Sequence, residues 1–323
     1  MNDRPTRKIR LYRPESNVYG HCKTWLNVEL DENNADEIWI DSNQYSEINT
    51  NDPLFNGIQK VCFYDFFHAH NFLDAALVKR ITHISNHYPT IWYTCNAKLI
   101  GGIDCQRFDY LWNRTKWATL DGRVSWKHCS DSRAYVRSSL HWNQRPKKYL
   151  SLNRTLTEYR VKLIDFLAKY DGYVSNVSQN LVIGNEHISD NEISQGVTVP
   201  PSASFFDNSY ISCQVESQYD GVDSVIFTEK TYDHLVRGRI VLNFGPPGYY
   251  SCLRNDGWLI PKFLDLSWDS EINNKIRFQG YLDMLNSIFI QTKENLHNWF
   301  LSQKDVIEHN YNMLESKPYD FIN

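Results

Sequence analysis

The chain has 323 residues, of which 41% are hydrophobic and 22% are charged. This composition excludes wholesale disorder, and the length suits two domains of roughly 150 residues each. No apolar run reaches the roughly 18 residues that a membrane helix needs, and the basic N-terminus lacks the apolar segment of a signal peptide. We therefore expect a cytoplasmic protein without a membrane partner. None of the seven cysteines forms a Cys-x-x-Cys pair, so neither a disulfide framework nor a zinc site is predicted.

The net charge is −4, but the charges are distributed unevenly along the chain. Between Arg107 and Lys148, ten basic residues stand against three acidic residues, and four tryptophans lie among them. Basic residues interleaved with flat rings are typical of a surface that binds a polyanion with exposed bases. The alternative is a solvated basic face with the tryptophans in the core. Residues 107–148 are therefore a candidate contact for double-stranded DNA.

Short apolar runs alternate with polar connections in the first half of the chain. The predicted strands are residues 8–12, 37–41, 60–65, 90–95, 116–121 and 134–140. A helix is predicted over residues 71–88, where apolar residues recur at three- and four-residue spacing. Strands separated by helices indicate a parallel, doubly wound α/β sheet.

The same pattern begins again after the polar segment 143–148, which predicts a linker. The second half has predicted strands at 149–152, 173–177, 210–216 and 240–244, helices at 155–172 and 228–238, a loop or partial lid at 184–209, and a helical tail at 276–314. We predict two Rossmann-like domains, residues 1–148 and 149–323, that face a common cleft. The C-terminal helices of the second domain are long enough to pack back on the first.

Thr228, Glu229 and Lys230 open a predicted helix, and an apolar strand and a Gly-Pro-Pro-Gly loop follow it. If Thr228 caps this helix, the free N–H groups and the positive end of the helix dipole suit a phosphate. Lys230 would add a point charge, and Glu229 would accept hydrogen bonds from a ribose diol. Asn243 and Gly245 would close the site, because glycine lets the backbone approach a ligand closely. On spacing alone, a surface Glu-Lys pair is the alternative.

Two arginines near the start of the second half are further candidates. Arg154 directly follows a predicted strand, where a guanidinium can neutralise a diphosphate through two parallel hydrogen bonds. Arg160 lies six residues further on, within the predicted helix. Taken alone, it is equally well explained as a residue of the helix surface.

Three segments of the second half, in this order, resemble a family of phage-encoded glycosyltransferases. They are SLNR…YR…LIDFL, ISCQVES…FTEKTYDHLVRGRIVLNFGPPG and LRNDGWLIPKFLDLSWDSEINNKIRF, within residues 149–280. That family is similar in turn to the fucosyltransferase and exostosin-type enzymes of the GT-B architecture. The matching residues are Asn153, Arg154, Arg160, Glu216, Ser217, Thr228, Glu229, Lys230, Thr231, Gly245, Pro246, Gly248, Asp265, Ser267, Asp269 and Arg277. The chain departs at Tyr159, where the family often has His, at Leu266 for Glu and at Trp268 for Tyr.

The resemblance implies a hexosyl- or pentosyltransferase whose donor is a nucleotide diphosphate-sugar, UDP- or GDP-linked, with no separate cofactor. The implied donor contacts are Arg154, Glu229 and Lys230, followed by Arg160, Glu216, Thr228, Tyr232, Asn243 and Gly245. Such enzymes stabilise the leaving diphosphate with cations and dipoles. The sequence has no Asp-x-Asp, so a metal-independent reaction is expected. If a phage encodes the protein, the host cell cytoplasm is the implied location.

The acceptor hydroxyl would be activated by a general base from the first half. The candidates are Asp65 at a predicted strand end, His68 shortly after it, and Asp104 after a Gly-Gly pair. For Asp65 the alternative is a helix cap or a turn, and a retaining mechanism would need no such base. The leading acceptor is a hydroxymethylated pyrimidine extruded from phage DNA. A saccharide, glycan or protein acceptor is the alternative, and a non-catalytic nucleotide-sugar or carbohydrate-binding protein is the third.

Overall fold

The structure of the protein is a computed structural model. It describes residues 7–12, 28–41, 48–65, 75–94, 104–107, 140–153, 157–176, 182–183, 186–187, 203–221 and 225–317. The chain forms two compact units, residues 1–113 with 319–323 and residues 114–318. Each unit contains a parallel sheet.

The first unit has a sheet of six described strands in the order β2-β1-β3-β4-β5-β6. The strands are β1 (Arg7–Leu11), β2 (Val28–Leu30), β3 (Glu37–Asp41), β4 (Lys60–Asp65), β5 (Thr90–Thr94) and β6 (Cys105–Arg107), and helix α1 (Ala75–Ser85) joins β4 to β5. Every neighbouring pair is parallel. The central strands are near-continuous apolar runs, as expected of parallel strands covered on both faces.

The second unit has a sheet of four described strands in the order β12-β11-β7-β8. These are β7 (Lys147–Asn153), β8 (Tyr173–Asn176), β11 (Ser209–Ser212) and β12 (Ile240–Val241), all parallel, and a separate hairpin consists of β9 (Val182–Ile183) and β10 (Glu186–His187). The helices are α2 (Glu158–Leu167), α3 (Ala203–Asp207), α4 (Glu229–Leu235), α5 (Tyr249–Asn255), α6 (Asn274–Phe289), α7 (Lys293–Ser302) and α8 (Lys304–Ser316).

Helices α2 and α4 lie on opposite faces of the second sheet. Phe244, just beyond β12, packs against Tyr159 of α2 with ring centroids 5.6 Å apart. Its neighbour Asn243 donates to Thr231 of α4 over 3.1 Å. Because successive residues of an extended strand point to opposite faces, the sheet is covered on both sides. The predicted α/β class, with a parallel sheet in each half and a doubly wound second sheet, is confirmed.

Several predicted elements have the predicted position, and others differ. Strands β3 and β4 have the predicted bounds, whereas the predicted strands 116–121 and 134–140 lie outside the described residues. The predicted linker instead contains the start of β7. The helical tail is divided into α6, α7 and α8, and the helix α5 was not predicted.

The cores of both units contain tryptophans. Trp39 and Trp92 are buried in the first unit, and Trp258 and Trp268 are buried in the second. The thiols of Cys62 and Cys213 are also buried, and burial raises the pKa of each above its ordinary value. None of the helices in the described part of the chain combines the length and the apolar character of a membrane span.

Candidate functional site

The strand order of the second sheet places a topological switch point between β7 and β11. From this pair the chain proceeds outwards in opposite directions, to β8 on one side and to β12 on the other. In open α/β sheets, ligands bind beyond the carboxyl ends of the strands at such a point. Strand β7 ends at the buried Asn153, and the predicted Arg154 follows it, outside the described residues. Beyond β11, the backbone N–H of Glu216 donates to Phe244 O over 2.9 Å.

Glu216 is the centre of a buried hydrogen-bond cluster beyond β11. The residue is 1% exposed, and both of its carboxylate oxygens accept hydrogen bonds. Thr228 Oγ1 donates to Oε2 over 2.5 Å, and Thr231 Oγ1 donates to Oε1 over 2.5 Å. The Tyr249 hydroxyl lies 3.3 Å from Oε1 and also contacts Thr231 Oγ1. Burial first, and then the charge of Glu216, raise the pKa of Tyr249 well above its ordinary value, so its hydroxyl keeps its proton.

Thr228 is the N-cap of α4, as predicted, with extended backbone angles and a side-chain oxygen that accepts from Lys230 N over 3.2 Å. The backbone N–H groups of Thr231 and Tyr232 both donate to Thr228 O, over 3.0 and 3.1 Å. These N–H groups, together with that of Lys230, are therefore bonded within the helix start. The predicted phosphate contact at this helix start stays a prediction.

Lys230 and Arg160 converge on the hydroxyl of Ser217. Lys230 Nζ lies 3.3 Å from Ser217 Oγ and 3.5 Å from Thr228 Oγ1. Arg160, which is 4% exposed, donates to the same Ser217 Oγ over 3.3 Å and to Val215 O over 3.2 Å. Ser217 is exposed and Lys230 is half-buried. The site thus has an outer layer of Ser217 and Lys230 above a second, buried cation.

Asn243 and Tyr232 have different surroundings. Asn243 Nδ2 donates to Lys230 O over 3.3 Å, whereas the buried Asn243 Oδ1 has no hydrogen-bond partner among the described residues. Tyr232 is fully buried, and its ring packs against Phe227 and Trp258 with centroids 5.9 and 5.7 Å away. The predicted contact of Tyr232 with a donor stays a prediction. The side chain of Glu229 is outside what the structure describes, although α4 begins at that residue.

The Gly-Pro-Pro-Gly loop joins this cluster through Tyr249. A Cβ atom at Gly245 would lie 2.3 Å from the Tyr249 ring, so glycine is required for the ring to reach Glu216. Gly248 has a φ of 79°, a left-handed conformation that favours glycine, and precedes α5. Gly248 N donates to Asp269 O over 2.8 Å, and Tyr250 N donates to the Asp269 carboxylate over 3.1 Å. Asp269 therefore holds the start of α5 and the loop before it.

Asp269 is a buried acid at this helix start. Burial is the largest influence and raises the pKa of Asp269 from 3.8 to about 6. The N–H groups of Tyr250 and Ser251 and the charges of Arg277 and Arg254 act in the opposite direction. The acid consequently becomes ionised close to neutral pH.

In the first unit, the switch point lies between β1 and β3. Asp41 ends β3 and Asp65 ends the adjacent β4, so both are at the carboxyl edge of the sheet. Asp104 precedes β6, and the strand register aligns it with Ile91 of β5. Asp65 pairs with Thr94, which is three residues further along β5. Three residues of strand correspond to about 10 Å, so Asp104 is well below that edge. The side chain of Asp65 is outside what the structure describes.

The predicted base His68 also lies outside the described residues. The assignment of Asp65, His68 or Asp104 as the base stays a prediction. Asp41 was not predicted as a site residue. The sequence could have identified it, because it is a carboxylate at the end of a predicted strand. Among the described residues, no group of three or more His, Cys, Asp or Glu side chains is placed to hold a metal ion.

The described end of the basic stretch has internal partners. The buried Arg145 donates to the carbonyls of Phe206 and Ser209 over 2.9 and 3.0 Å. Lys147 Nζ lies 2.6 Å from Asp171 Oδ1, and Lys148 Nζ donates to Phe289 O over 2.6 Å. These three cations therefore stabilise the second unit. Residues 108–139, which contain most of the other basic residues, lie outside the described part of the chain.

Among the described residues, the structure brings together the predicted Arg160, Glu216, Thr228, Lys230, Asn243 and Gly245. Sequence reasoning did not assign Ser217, Thr231 or Tyr249 to the site. Thr228 and Thr231 are three residues apart at a helix start, a spacing that directs both hydroxyls to one side. That spacing was the available signal for Thr231.

No family model matches the chain, and no curated protein matches it. Among the solved structures that match is a crystal structure of an α1,3-fucosyltransferase. The likeness covers 98% of this chain and 94% of that chain, with 12% sequence identity and a TM-score of 0.43.

Replacing Thr231 with valine tests the buried cluster. Thr231→Val keeps the shape but removes the hydroxyl that Glu216 accepts, and a lost hydrogen bond to a buried charge should lower the free energy of unfolding by about 2 kcal/mol. Thr231→Ser keeps the hydroxyl and loses one methyl group, which should cost about 1 kcal/mol. Urea denaturation measures both. Equal losses in the two variants would show that the hydroxyl contributes little.

The pH dependence of stability tests Asp269. Because the folded protein binds this proton more tightly than the unfolded chain, the free energy of unfolding should fall as the pH rises from about 4 to about 6. The pKa rise corresponds to about 3 kcal/mol, and Asp269→Asn should remove that part of the pH dependence.

The matched control for this experiment is Asp265→Asn. The N–H of Ser267 lowers the pKa of the exposed Asp265 below its ordinary value of 3.8, so its contribution to stability is lost only at lower pH and is constant between about pH 4 and about pH 6. Denaturation of the three proteins across this pH range should give Asp265→Asn the slope of wild type and Asp269→Asn a smaller one. Identical slopes for wild type and Asp269→Asn would contradict the assignment.

Proposed function

We propose that the protein is a glycosyltransferase that moves a sugar from a nucleotide diphosphate-sugar to a hydroxyl acceptor. The observation that carries the proposal is the convergence of Lys230 and Arg160 on Ser217 at the switch point of the second sheet. A diphosphate leaving group gains negative charge as the glycosidic bond breaks. Preorganised cations beside it lower the barrier, because their charge is already in place.

The outer layer would contact the diphosphate. Lys230 would act as a point charge. Ser217 would donate its hydroxyl proton to the same phosphate oxygen that the Lys230 ammonium group contacts. Arg160 would act from behind Ser217, through the long-range attraction of a buried positive charge. Arg154 is proposed as a second direct cation, and Glu229 as the acceptor for the ribose hydroxyls.

The acceptor would bind to the first unit at the carboxyl edge of its sheet. We propose Asp65 as the general base and Asp41 as its competitor, because both end adjacent strands at this edge. Asp104 is a weaker proposal, since its register places it away from the edge. A base must come within hydrogen-bond reach of the acceptor hydroxyl.

For the acceptor, we propose hydroxymethylated pyrimidines in DNA as the first class to test. The support is the density of basic residues between 107 and 148. The internal bonds of Arg145, Lys147 and Lys148 reduce the number of cations available for phosphate contacts. Saccharide, glycan and protein acceptors are the alternative, with tryptophans stacking on sugar rings.

DNA binding has a direct test. A basic surface that contacts phosphates should bind duplex DNA at low salt, and its affinity should fall steeply as salt rises, because bound counterions are released. An electrophoretic shift across a salt series measures this dependence. If no shift occurs even at low salt, DNA is excluded as the acceptor and the saccharide class takes its place.

Replacing Lys230 tests the proposed reaction. Lys230→Ala should lower the release of nucleoside diphosphate from a panel of UDP- and GDP-sugars by at least about a hundredfold, because the leaving group loses its point charge. Lys162→Ala is the matched control, since Lys162 is an exposed lysine that pairs with Glu158 over 2.5 Å. Both variants should unfold at the wild-type urea concentration.

Two outcomes would change the proposal. Full activity in Lys230→Ala would show that the site assignment is wrong. If wild type binds the nucleotide sugars but releases no diphosphate, even slowly by hydrolysis, the protein is a binding module instead of an enzyme. Mass spectrometry of modified nucleosides and oligosaccharides identifies the acceptor when turnover is present.

A further inference from the structure

We propose that Glu216 is a positioning residue that holds Lys230 in place for the diphosphate and does not itself contact the donor. This inference rests on the proposed function. Both carboxylate oxygens of Glu216 are bonded to hydroxyl groups, and the residue is 1% exposed. A donor would have to displace these hydroxyls to reach it.

The direction of the hydrogen bonds at Thr228 requires a hydrogen-bond acceptor at the Oε2 position of Glu216. The hydroxyl of Thr228 has one proton and two lone pairs. One lone pair accepts from Lys230 N, and Lys230 Nζ lies 3.5 Å from the same oxygen. The one proton is therefore given to Glu216 Oε2, over 2.5 Å. A carboxylate accepts this proton, whereas an amide N–H₂ at the same position would oppose it.

Thr231 imposes the same condition on the other carboxylate oxygen. Its hydroxyl accepts from Asn243 Nδ2 over 3.1 Å and donates to Glu216 Oε1 over 2.5 Å. Glu216 thus accepts from two hydroxyls of the first turn of α4, one on each side of Lys230 in the sequence. No other single side chain in the described cluster contacts both threonines as an acceptor.

The charge of Glu216 has no cation among its hydrogen-bond partners in the described part of the chain. A buried carboxylate that is solvated by hydroxyls alone is energetically costly, so a position that needed stability alone would favour an uncharged residue. The cost is explained if an acceptor-only group is required to fix both threonines. Once they are fixed, the capped N–H of Lys230 and its Nζ beside Ser217 have a defined position.

Glu216→Gln should weaken the binding of UDP or GDP about tenfold, because losing a hydrogen bond to a charged group typically changes an equilibrium constant by about that factor. The weakening should depend on Lys230. In a Lys230→Ala background, adding Glu216→Gln should change the affinity less than twofold. Isothermal titration of the four proteins, carried to millimolar nucleotide, measures the cycle.

Two results of this cycle would overturn the proposal. One is an unchanged affinity in Glu216→Gln. The other is an equal weakening in both backgrounds, which would indicate a direct donor contact or a general loss of structure. Glu158→Gln is the matched control, because Glu158 is an exposed carboxylate on α2 that pairs with Lys162. Its affinity should equal that of wild type.

A second pair of variants keeps the test decisive if Glu216→Gln does not fold or if the Lys230→Ala background binds no nucleotide. Thr228→Val removes the hydroxyl between Glu216 and Lys230, at a half-buried position, and Thr228→Ser retains it. Thr228→Val should weaken nucleotide binding about tenfold, and Thr228→Ser should leave it near wild type. Equal affinities in the two variants would overturn the proposal.

Amide hydrogen exchange separates a failure of this inference from a failure of the proposed function. The Lys230 N–H is protected by Thr228, so Thr228→Val and Glu216→Gln should both accelerate its exchange without any nucleotide present. If wild type binds no nucleoside diphosphate, the proposed function fails, but the exchange experiment still tests the effect of Glu216 on Lys230. Unchanged exchange in both variants would overturn the inference even if wild type binds nucleotide.

Discussion

The buried carboxylate of Glu216 is the interaction on which the geometry of the candidate site depends. It joins the extended segment after β11 to the first turn of α4, through Thr228 and Thr231. Tyr249 adds the loop before α5 to the same group. Three separate parts of the second unit therefore meet at one charge, and their positions are coupled because Glu216 belongs to one part and accepts hydrogen bonds from the other two.

The strand order explains why this cluster forms where a ligand would bind. The carboxyl ends of β7 and β11 are adjacent, and the strand order continues from them in opposite directions, which is the arrangement at which open α/β sheets bind ligands. Ser217 and Lys230 occupy the outer side of that edge, and Arg160 lies behind them. Ser212 at the end of β11 and Gln214 just beyond it are bonded to His234 of α4, so polar contacts continue inwards from the site.

Some elements were predictable from the sequence, for a physical reason. Strands β3 and β4 are buried on both faces, so they are apolar runs with clear ends. Strands β2 and β6 have three residues each and form the edges of the sheet, which leaves no periodic signal. Helix α5 follows a Pro-Pro-Gly turn that suggests a loop, and its start is held by Asp269, 19 residues from its partner Tyr250. That contact depends on the tertiary fold.

The local features of the candidate site were predictable from the sequence, whereas its tertiary contacts were not. The cap at Thr228 and the location of Lys230 follow from local sequence, because helix starts have characteristic residues. The role of Glu216 does not, since its bonds to Thr228 and Thr231 span 12 and 15 residues and depend on how β11 aligns with α4. The hydrogen bonds of the N–H groups at the start of α4 were also not predictable, because the sequence does not determine which of these donors bond within the helix start.

A crystal structure of the protein with bound UDP or GDP tests the central claim most directly. The account predicts that the diphosphate lies beyond the carboxyl end of β11, within hydrogen-bond distance of Lys230 Nζ and Ser217 Oγ, while Glu216 still accepts from Thr228 and Thr231. A diphosphate bound elsewhere, or a Glu216 carboxylate that has left the threonines to contact the nucleotide, would contradict it.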